Sequence, residues 1–319
     1  METSLHDVAG GHEMYAHLPG VALEVGSRAS FGIGELVALD FAEWLAIDWT
    51  FRPVPDSYDF RQVKPVFFHA SVATLPDSGN QSQSARDLST APYEALLIGT
   101  GKPFADPKLS VSYHRSGEAG WEILLGPFEH EYAVFGGFQF RAALSEPVLE
   151  RSRTVLPLLE RWKSPEVDAG LASLKRTALP EFSSMNAFLH NVTFLESMLI
   201  PELRERLTEA FARRGATLLS DREEEIASNH RVCRALYRAR SEAMHGDDPA
   251  ATIAQTGETT ERFLGLAREL VGEALFRLML FTRRHGDIES AASALRQELA
   301  RAWDDIDVRT TLRTAFADA

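Results

Sequence analysis

The sequence predicts an α+β protein: a β-rich N-terminal domain over residues 1–145, a helical connector over 146–180, and an all-α antiparallel helical bundle over 181–319. Three observations predict it. Before about residue 145 the chain is rich in Gly, Pro and aromatics and is broken into short apolar or alternating runs. From Glu146 onward apolar residues recur at helical spacing. In that second half Pro201, Gly215, Gly246 and Gly286 stand where helices begin or end.

A chain of 319 residues accommodates two domains and buries a sizeable core without covalent staples. Cys233 is the only cysteine, which excludes intramolecular disulfides and cysteine-based zinc sites and suits a reducing cytoplasm. The net charge of −13 argues against a whole-surface nucleic-acid binder while leaving room for a small basic cleft. Glu2, His6 and Asp7 stand where a secretory leader needs a basic and then an apolar stretch. The most hydrophobic run, Phe263–Thr282, carries Arg268, Glu269, Glu273 and Arg277, spaced for one helix face and too many for a bilayer span. The expected location is the cytoplasm, away from membranes.

In the first half, strand candidates are Gly20–Val25, Glu35–Trp44, Val63–Ala73, Ala95–Ile98 and Trp121–Leu125. Turn-forming clusters at Pro53–Asp59 and Gly99–Pro107 separate them. The mostly polar stretch Pro76–Thr90 reads as an exposed loop. Trp44, Trp49, Phe51, Phe60, Phe67 and Phe68 suit a β core. The connector contains a helix over Pro147–Trp162 and a partly helical stretch over Ser164–Pro180.

The bundle begins with a helix over Phe182–Ile200, ended by Pro201. A second covers Glu202–Arg214 and closes at Gly215. A third starts at Ser220, where Glu223 completes a capping box, and runs through Met244 to Gly246. The fourth spans Thr259–Arg284 before Gly286, and the fifth Ile288–Asp304. Five helices with short links imply an antiparallel bundle. No internal repeat is present.

The third helix carries the residue that rises above architecture. On a wheel of about 100° per residue with Arg231 at zero, Ile226, Val232, Cys233, Leu236, Tyr237, Ala243 and Met244 fall between about 100° and 240°. Arg231, Arg234 and Arg238 gather at about 300–360°. Arg240 falls at about 180°, inside the apolar stripe, where a guanidinium needs a partner. On a regular helix His245 is about 140° from Arg240, so the two meet only if the helix end unwinds or a second chain brings them together. The residues leave two readings open. One is a structural Arg240 paired to a core carboxylate, with His245 an end residue favoured by the helix dipole; the other is a functional pair.

The segment from Leu236 to Gly246, Leu-Tyr237-Arg-Ala-Arg240-Ser241-Glu-Ala-Met-His245-Gly, has the form LYxxRSxxxHG. It resembles the Apea-like branch of the HEPN families (higher eukaryote and prokaryote nucleotide-binding), over about residues 180–284. The resemblance implies a HEPN-like bundle, a ribonuclease that uses no metal and no cofactor, and an active site formed across a two-fold dimer interface. Arg240 and His245 are then the catalytic residues. The 2′-hydroxyl of RNA attacks the adjacent phosphorus, His245 moves a proton, and Arg240 holds the non-bridging oxygens. The products are a 2′,3′-cyclic phosphate and a 5′-hydroxyl.

Two residues are candidates for substrate contact. Tyr237 either stacks on a base or packs in the core. Ser241 stands where many active members carry Asn, Asp or His. Arg231, Arg234 and Arg238 line a phosphate path or, beside Glu223, Glu224, Glu225 and Glu242, form a solvated face. The implied partners are RNA, tRNA among the candidates, and a second copy of the chain through the Arg240/His245 helix. By analogy the protein is a bacterial antiphage or toxin-type effector, and residues 1–145 are the sensor or regulator for a phage or other trigger. The alternative is a non-catalytic HEPN scaffold that binds RNA, a nucleotide or a protein.

Other motifs fail on spacing or context. His12-Glu-Met-Tyr-Ala-His17 sets its histidines five apart, whereas a zinc helix needs four. Gly99–Pro103 lacks the earlier glycine of a phosphate loop and the hydroxyl residue after Lys102. Gly32 and Gly34 supply half a dinucleotide fingerprint. Asp304, Asp305 and Asp307 read as a solvated helix end rather than a cation site, and Asn191-Val-Thr193 as a glycosylation acceptor without meaning in a cytoplasmic chain.

Overall fold

The computed structural model describes residues 12–18, 21–40, 42–43, 64–72, 81–101, 111–115, 121–124, 142–161, 164–176, 184–286 and 288–317. Its contacts divide the chain into two compact units, 1–96 with 103–156, and 97–102 with 157–319. The α+β class holds: a small, mainly antiparallel sheet unit and a helical unit.

In the first unit six strands form one antiparallel sheet in the order β3-β4-β5-β1-β6-β7. These are β1 (His12–His17), β3 (Arg28–Phe31), β4 (Gly34–Ala38), β5 (Val66–Val72), β6 (Val111–Arg115) and β7 (Trp121–Leu124). β2 (Val21–Leu23) pairs in parallel with β8 (Ala142–Leu144). Strand β1 is interior, with His12 opposite Val72 on one side and Arg115 on the other. The His12–His17 segment is thus sheet, not helix. Alternation alone hides this strand, because Tyr15, Ala16 and His17 are all buried. Gly32 supplies a left-handed turn residue (φ 60°) between β3 and β4, so it serves the hairpin rather than a nucleotide. Phe67 and Phe68 are core residues, as expected; Trp44, Trp49, Phe51 and Phe60 lie outside the described residues, as does the Pro53–Asp59 turn cluster.

Two expectations fail here. Ala95–Ile98 is helical, not extended, and so is the later part of the stretch read as a loop: α1 runs Gln81–Thr100. Tyr93, Ala95, Leu96, Leu97 and Ile98 are all buried. A segment buried all round has no polar side to reveal its period, so a short apolar run does not distinguish helix from strand. Gly101 ends the helix in the left-handed conformation (φ 58°), and its Cα lies 3.0 Å from where a Cβ on Gly272 would stand. The Gly99–Pro103 segment therefore begins as a helix end packed on another helix.

The remaining helices are α2 (Glu146–Arg161), α3 (Pro165–Arg176), α4 (Ser184–Leu199), α5 (Leu207–Leu219), α6 (Ile226–His245), α7 (Ala250–Ala254), α8 (Thr260–His285), α9 (Ile288–Ala302) and α10 (Ile306–Ala317). Helix α5 packs along α6, and α8 packs against α3, α4, α9 and α10. Thr259 caps α8 by accepting the Arg262 N–H at 3.2 Å, and Gly286 closes it with φ 76°. The short α7 and the terminal α10 are additions to the expected five helices.

Three helix boundaries differ from expectation. The second bundle helix starts at Leu207 and passes through Gly215 to Leu219. Residues after Pro201 turn instead of coiling, with Arg206 at φ 54°, and the buried Arg214 donates to both the Leu199 carbonyl and Glu202, each at 2.6 Å. Gly215 is no cap: a Cβ there would stand 2.8 Å from Cys233 Sγ, so the glycine is a contact point between α5 and α6. Ser220 likewise closes α5 instead of opening the next helix, its hydroxyl donating to the Ala216 carbonyl at 2.7 Å. A 3₁₀ turn over Glu223–Glu225 precedes α6, and Glu225 takes the capping role, accepting the Asp221 and Arg222 N–H groups at 3.0 and 3.3 Å. Among the described residues no helix is long and apolar enough to cross a membrane.

Candidate functional site

Helix α6 carries the motif, and its end is well defined. Gly246 adopts φ 83°; its N–H reaches the Ala243 carbonyl at 3.2 Å, and the Asp247 N–H reaches the Glu242 carbonyl at 2.9 Å. That pair of bonds is a Schellman closure, and it needs the left-handed conformation that glycine adopts at no steric cost. The helix therefore stays regular through His245. Arg240 and His245 point about 140° apart within one chain. Unwinding, one of the two routes that would bring them together, is absent.

Arg240 has a partner that sequence reasoning did not name. Its Nη2 lies 2.9 Å from Glu196 Oε2, and their side chains are 21% and 23% exposed. The other oxygen of the same carboxylate accepts the Tyr237 hydroxyl at 2.7 Å. The Arg240 guanidinium also sits 5.9 Å from the Tyr237 ring centroid, within cation–π reach. One carboxylate thus fixes two residues that are a single turn apart on α6. Arg240 Nε is buried with no acceptor. Glu196 was legible in principle, being the one carboxylate in α4.

Tyr237 is buried, with its ring 5.1 Å from that of Phe211. Burial, the hydrogen bond to Glu196 and that carboxylate's charge push its phenol up to about 12, while the Arg240 charge acts the other way. The phenol therefore stays a proton donor to Glu196 at neutral pH. This is the core placement of the two that the sequence allowed. Ser241 is half-buried, and His245 is exposed at the helix end.

The apolar stripe is largely as expected, with Cys233, Leu236 and Tyr237 buried, but Met244 at its end is 59% exposed. Burial pushes the Cys233 thiol up to about 12, so it behaves as a small apolar side chain. Glu242, beside the motif, accepts the Thr252 hydroxyl from α7 at 2.8 Å, and its second oxygen is buried without a partner.

The minor motifs resolve structurally. Asp305 Oδ1 accepts the Asp307 and Val308 N–H groups at 3.0 and 3.2 Å, so the acidic cluster opens α10. Asn191 is buried and accepts the Ser173 hydroxyl at 2.8 Å, which removes it as a glycosylation acceptor in the folded chain. Of the four charges expected on one face of α8, Arg277 is buried and bonds Glu273 and Asp221 at 2.5 and 2.6 Å. Among the described residues no three His, Cys, Asp or Glu side chains converge as a metal site requires. No family model matches the chain, nor does any curated protein or solved structure.

Proposed function

We propose that the protein is a HEPN-type RNA endonuclease that works as a dimer through α6, with Arg240 and His245 as its catalytic residues. The observation that carries this reading is the state of Arg240. The residue lies on the apolar side of α6, its guanidinium is steered by Glu196 yet the side chain stays 21% exposed, and Met244, one turn further on, is exposed too. A charge held in place next to uncovered apolar surface suits an isologous contact, which repeats both features from the second copy. With α6 regular to its end, that second copy is the remaining route by which Arg240 and His245 share one cleft.

The chemistry follows from these groups. The RNA 2′-oxygen bonds to the neighbouring phosphorus as the bond to the 5′-oxygen breaks. His245 takes the proton from the 2′-hydroxyl or returns one to the departing 5′-oxygen. Arg240 donates to the non-bridging oxygens, where negative charge develops. Glu196 and Tyr237 orient the guanidinium. RNA is the substrate, with tRNA as one candidate, and the role is that of a bacterial antiphage or toxin-type effector in the cytoplasm, with the sheet unit as its sensor.

A second reading has its own support. The Glu196–Arg240–Tyr237 contact is also what a purely structural arginine would make, and it favours a non-catalytic HEPN scaffold that binds RNA, a nucleotide or a protein partner. One experiment separates them: incubation of wild type and His245→Ala with total RNA and with tRNA in EDTA. Cleavage by wild type alone, leaving 2′,3′-cyclic phosphate ends, is the result expected of the nuclease. Equal background from both proteins, together with equal growth of cells expressing either, would leave the scaffold.

A further inference from the structure

The polar side of α6 carries a row of basic side chains that the bundle does not use. Because the helix is regular from Ile226 to His245, directions around it follow from about 100° per residue. Arg231, Arg234, Arg238 and His245 fall at about 0°, 300°, 340° and 320°, and all four are exposed. They form a line about 21 Å long that ends at the proposed catalytic histidine.

These arginines differ from several others on the helical unit. Arg213, Arg222, Arg262, Arg309 and Arg313 each meet a carboxylate within 3.2 Å. Arg231 and Arg234 have no ion-pair or hydrogen-bond partner among the described residues, and Arg238 has only Glu242, at 3.9 Å. Glu242 is itself turned toward Thr252, which donates to it at 2.8 Å. In a chain of net charge −13, an un-neutralised row of guanidiniums is a local exception to the surface field. The three arginines lie off the Arg240 and Met244 side of the helix, at about 180° and 220°, so a dimer formed there leaves them open, while His245 in the last turn is where the row meets the shared cleft.

We propose that this face of α6 is the docking track for the RNA strand, which lies with successive phosphates against Arg231, Arg234 and Arg238 and its scissile phosphate at His245. The inference rests on the ribonuclease reading and specifies how that substrate is held. A line of separate charges spaced by about 4.5 and 6 Å along a helix suits a linear polyanion better than a single small anion. Phosphate contacts of this kind fix position without reading sequence. The track is therefore sequence-neutral.

The test uses the full chain in a His245→Ala background, so that a fluorescent single-stranded RNA stays intact, with affinity measured from about 50 to 200 mM salt. Arg231→Gln and Arg234→Gln should each reduce the slope of log affinity against log salt by about 0.7, and the double variant by about 1.4. Arg283→Gln, which removes an exposed charge elsewhere, should leave the slope unchanged. In the cleavage-competent protein the double variant should raise KM and leave kcat near its original value. A wild type that does not cut RNA, with a His245→Ala parent that does not bind it, would overturn the ribonuclease reading and this track together. Binding with an unchanged slope in the double variant would overturn the track alone, as would an equal loss of slope in Arg283→Gln. Equal competition by polyglutamate would reassign the face to an acidic protein segment.

Discussion

Arg240 donates to Glu196 across 2.9 Å at the edge of the helical unit, with each side chain about one-fifth exposed. Full burial would make such a pair very costly to break, but water screens this one. Arg240→Ala should therefore cost about 1–2 kcal/mol in denaturant unfolding, well under the roughly 3–5 kcal/mol of a buried pair. RNA cleavage should fall to background in the same variant. Arg240→Lys keeps the charge but loses the planar fork, so it should retain most of the stability and little of the activity. Activity that survives in Arg240→Ala would remove the residue from the catalytic set.

The 59% exposure of Met244 gives the proposed dimer its own test. Met244→Lys changes a surface residue, so stability should move by no more than about 0.5 kcal/mol. Burying the new charge in an isologous contact is costly, because each copy presents it to the other. Sedimentation velocity should then show a monomer, and specific activity should be lost with the dimer. An unchanged dimer would place the interface elsewhere.

Arg277 offers the contrast to Arg240. Its side chain is 5% exposed, bonds Glu273 and Asp221, and lies 5.0 Å from the Phe316 ring centroid. It thereby ties α8 to the turn before α6 and to α10. Arg277→Ala should cost about 3–5 kcal/mol by urea unfolding. Asp221→Asn, at a carboxylate that is 75% exposed, should cost about 1 kcal/mol or less.

His17 sets an acid dependence in the sheet unit. Burial lowers its imidazole to about 4, and its Nδ1 is buried without a partner. The unfolded chain, titrating near 6.5, binds the proton first, so folding stability falls as pH drops from about 6.5 to about 4 and levels off below. The full loss is on the order of 3 kcal/mol. His17→Phe should flatten the unfolding curve of the sheet unit across that window. A slope that persists unchanged in His17→Phe would assign the acid sensitivity to other groups.

Local signals were the legible part of the fold. Gly246 and Gly286 end their helices because the αL cap is a property of a few adjacent residues, and Thr259 opens α8 for the same reason. Signals that depend on a neighbouring helix misled. Gly215 resembles a cap in sequence and is a contact with Cys233 in space. Ser220 and Glu223 have capping-box spacing, yet the serine turns back to Ala216 and forms a bond with Asn229 at 2.9 Å, while Glu223 pairs with Arg309 and Arg313 of α10. The buried Tyr93–Ile98 run gave no period at all.

By itself the sequence determined that α6 ends at a glycine cap, that Arg240 lies on its apolar side and that His245 does not, because these follow from the rise and twist of one helix. Only the tertiary structure decided what Arg240 meets. Glu196 stands on α4, and no spacing within α6 encodes which carboxylate packing will deliver to it. Tertiary structure likewise left Met244 uncovered while burying Tyr237 on the same stripe, since burial depends on where the neighbouring helices stop.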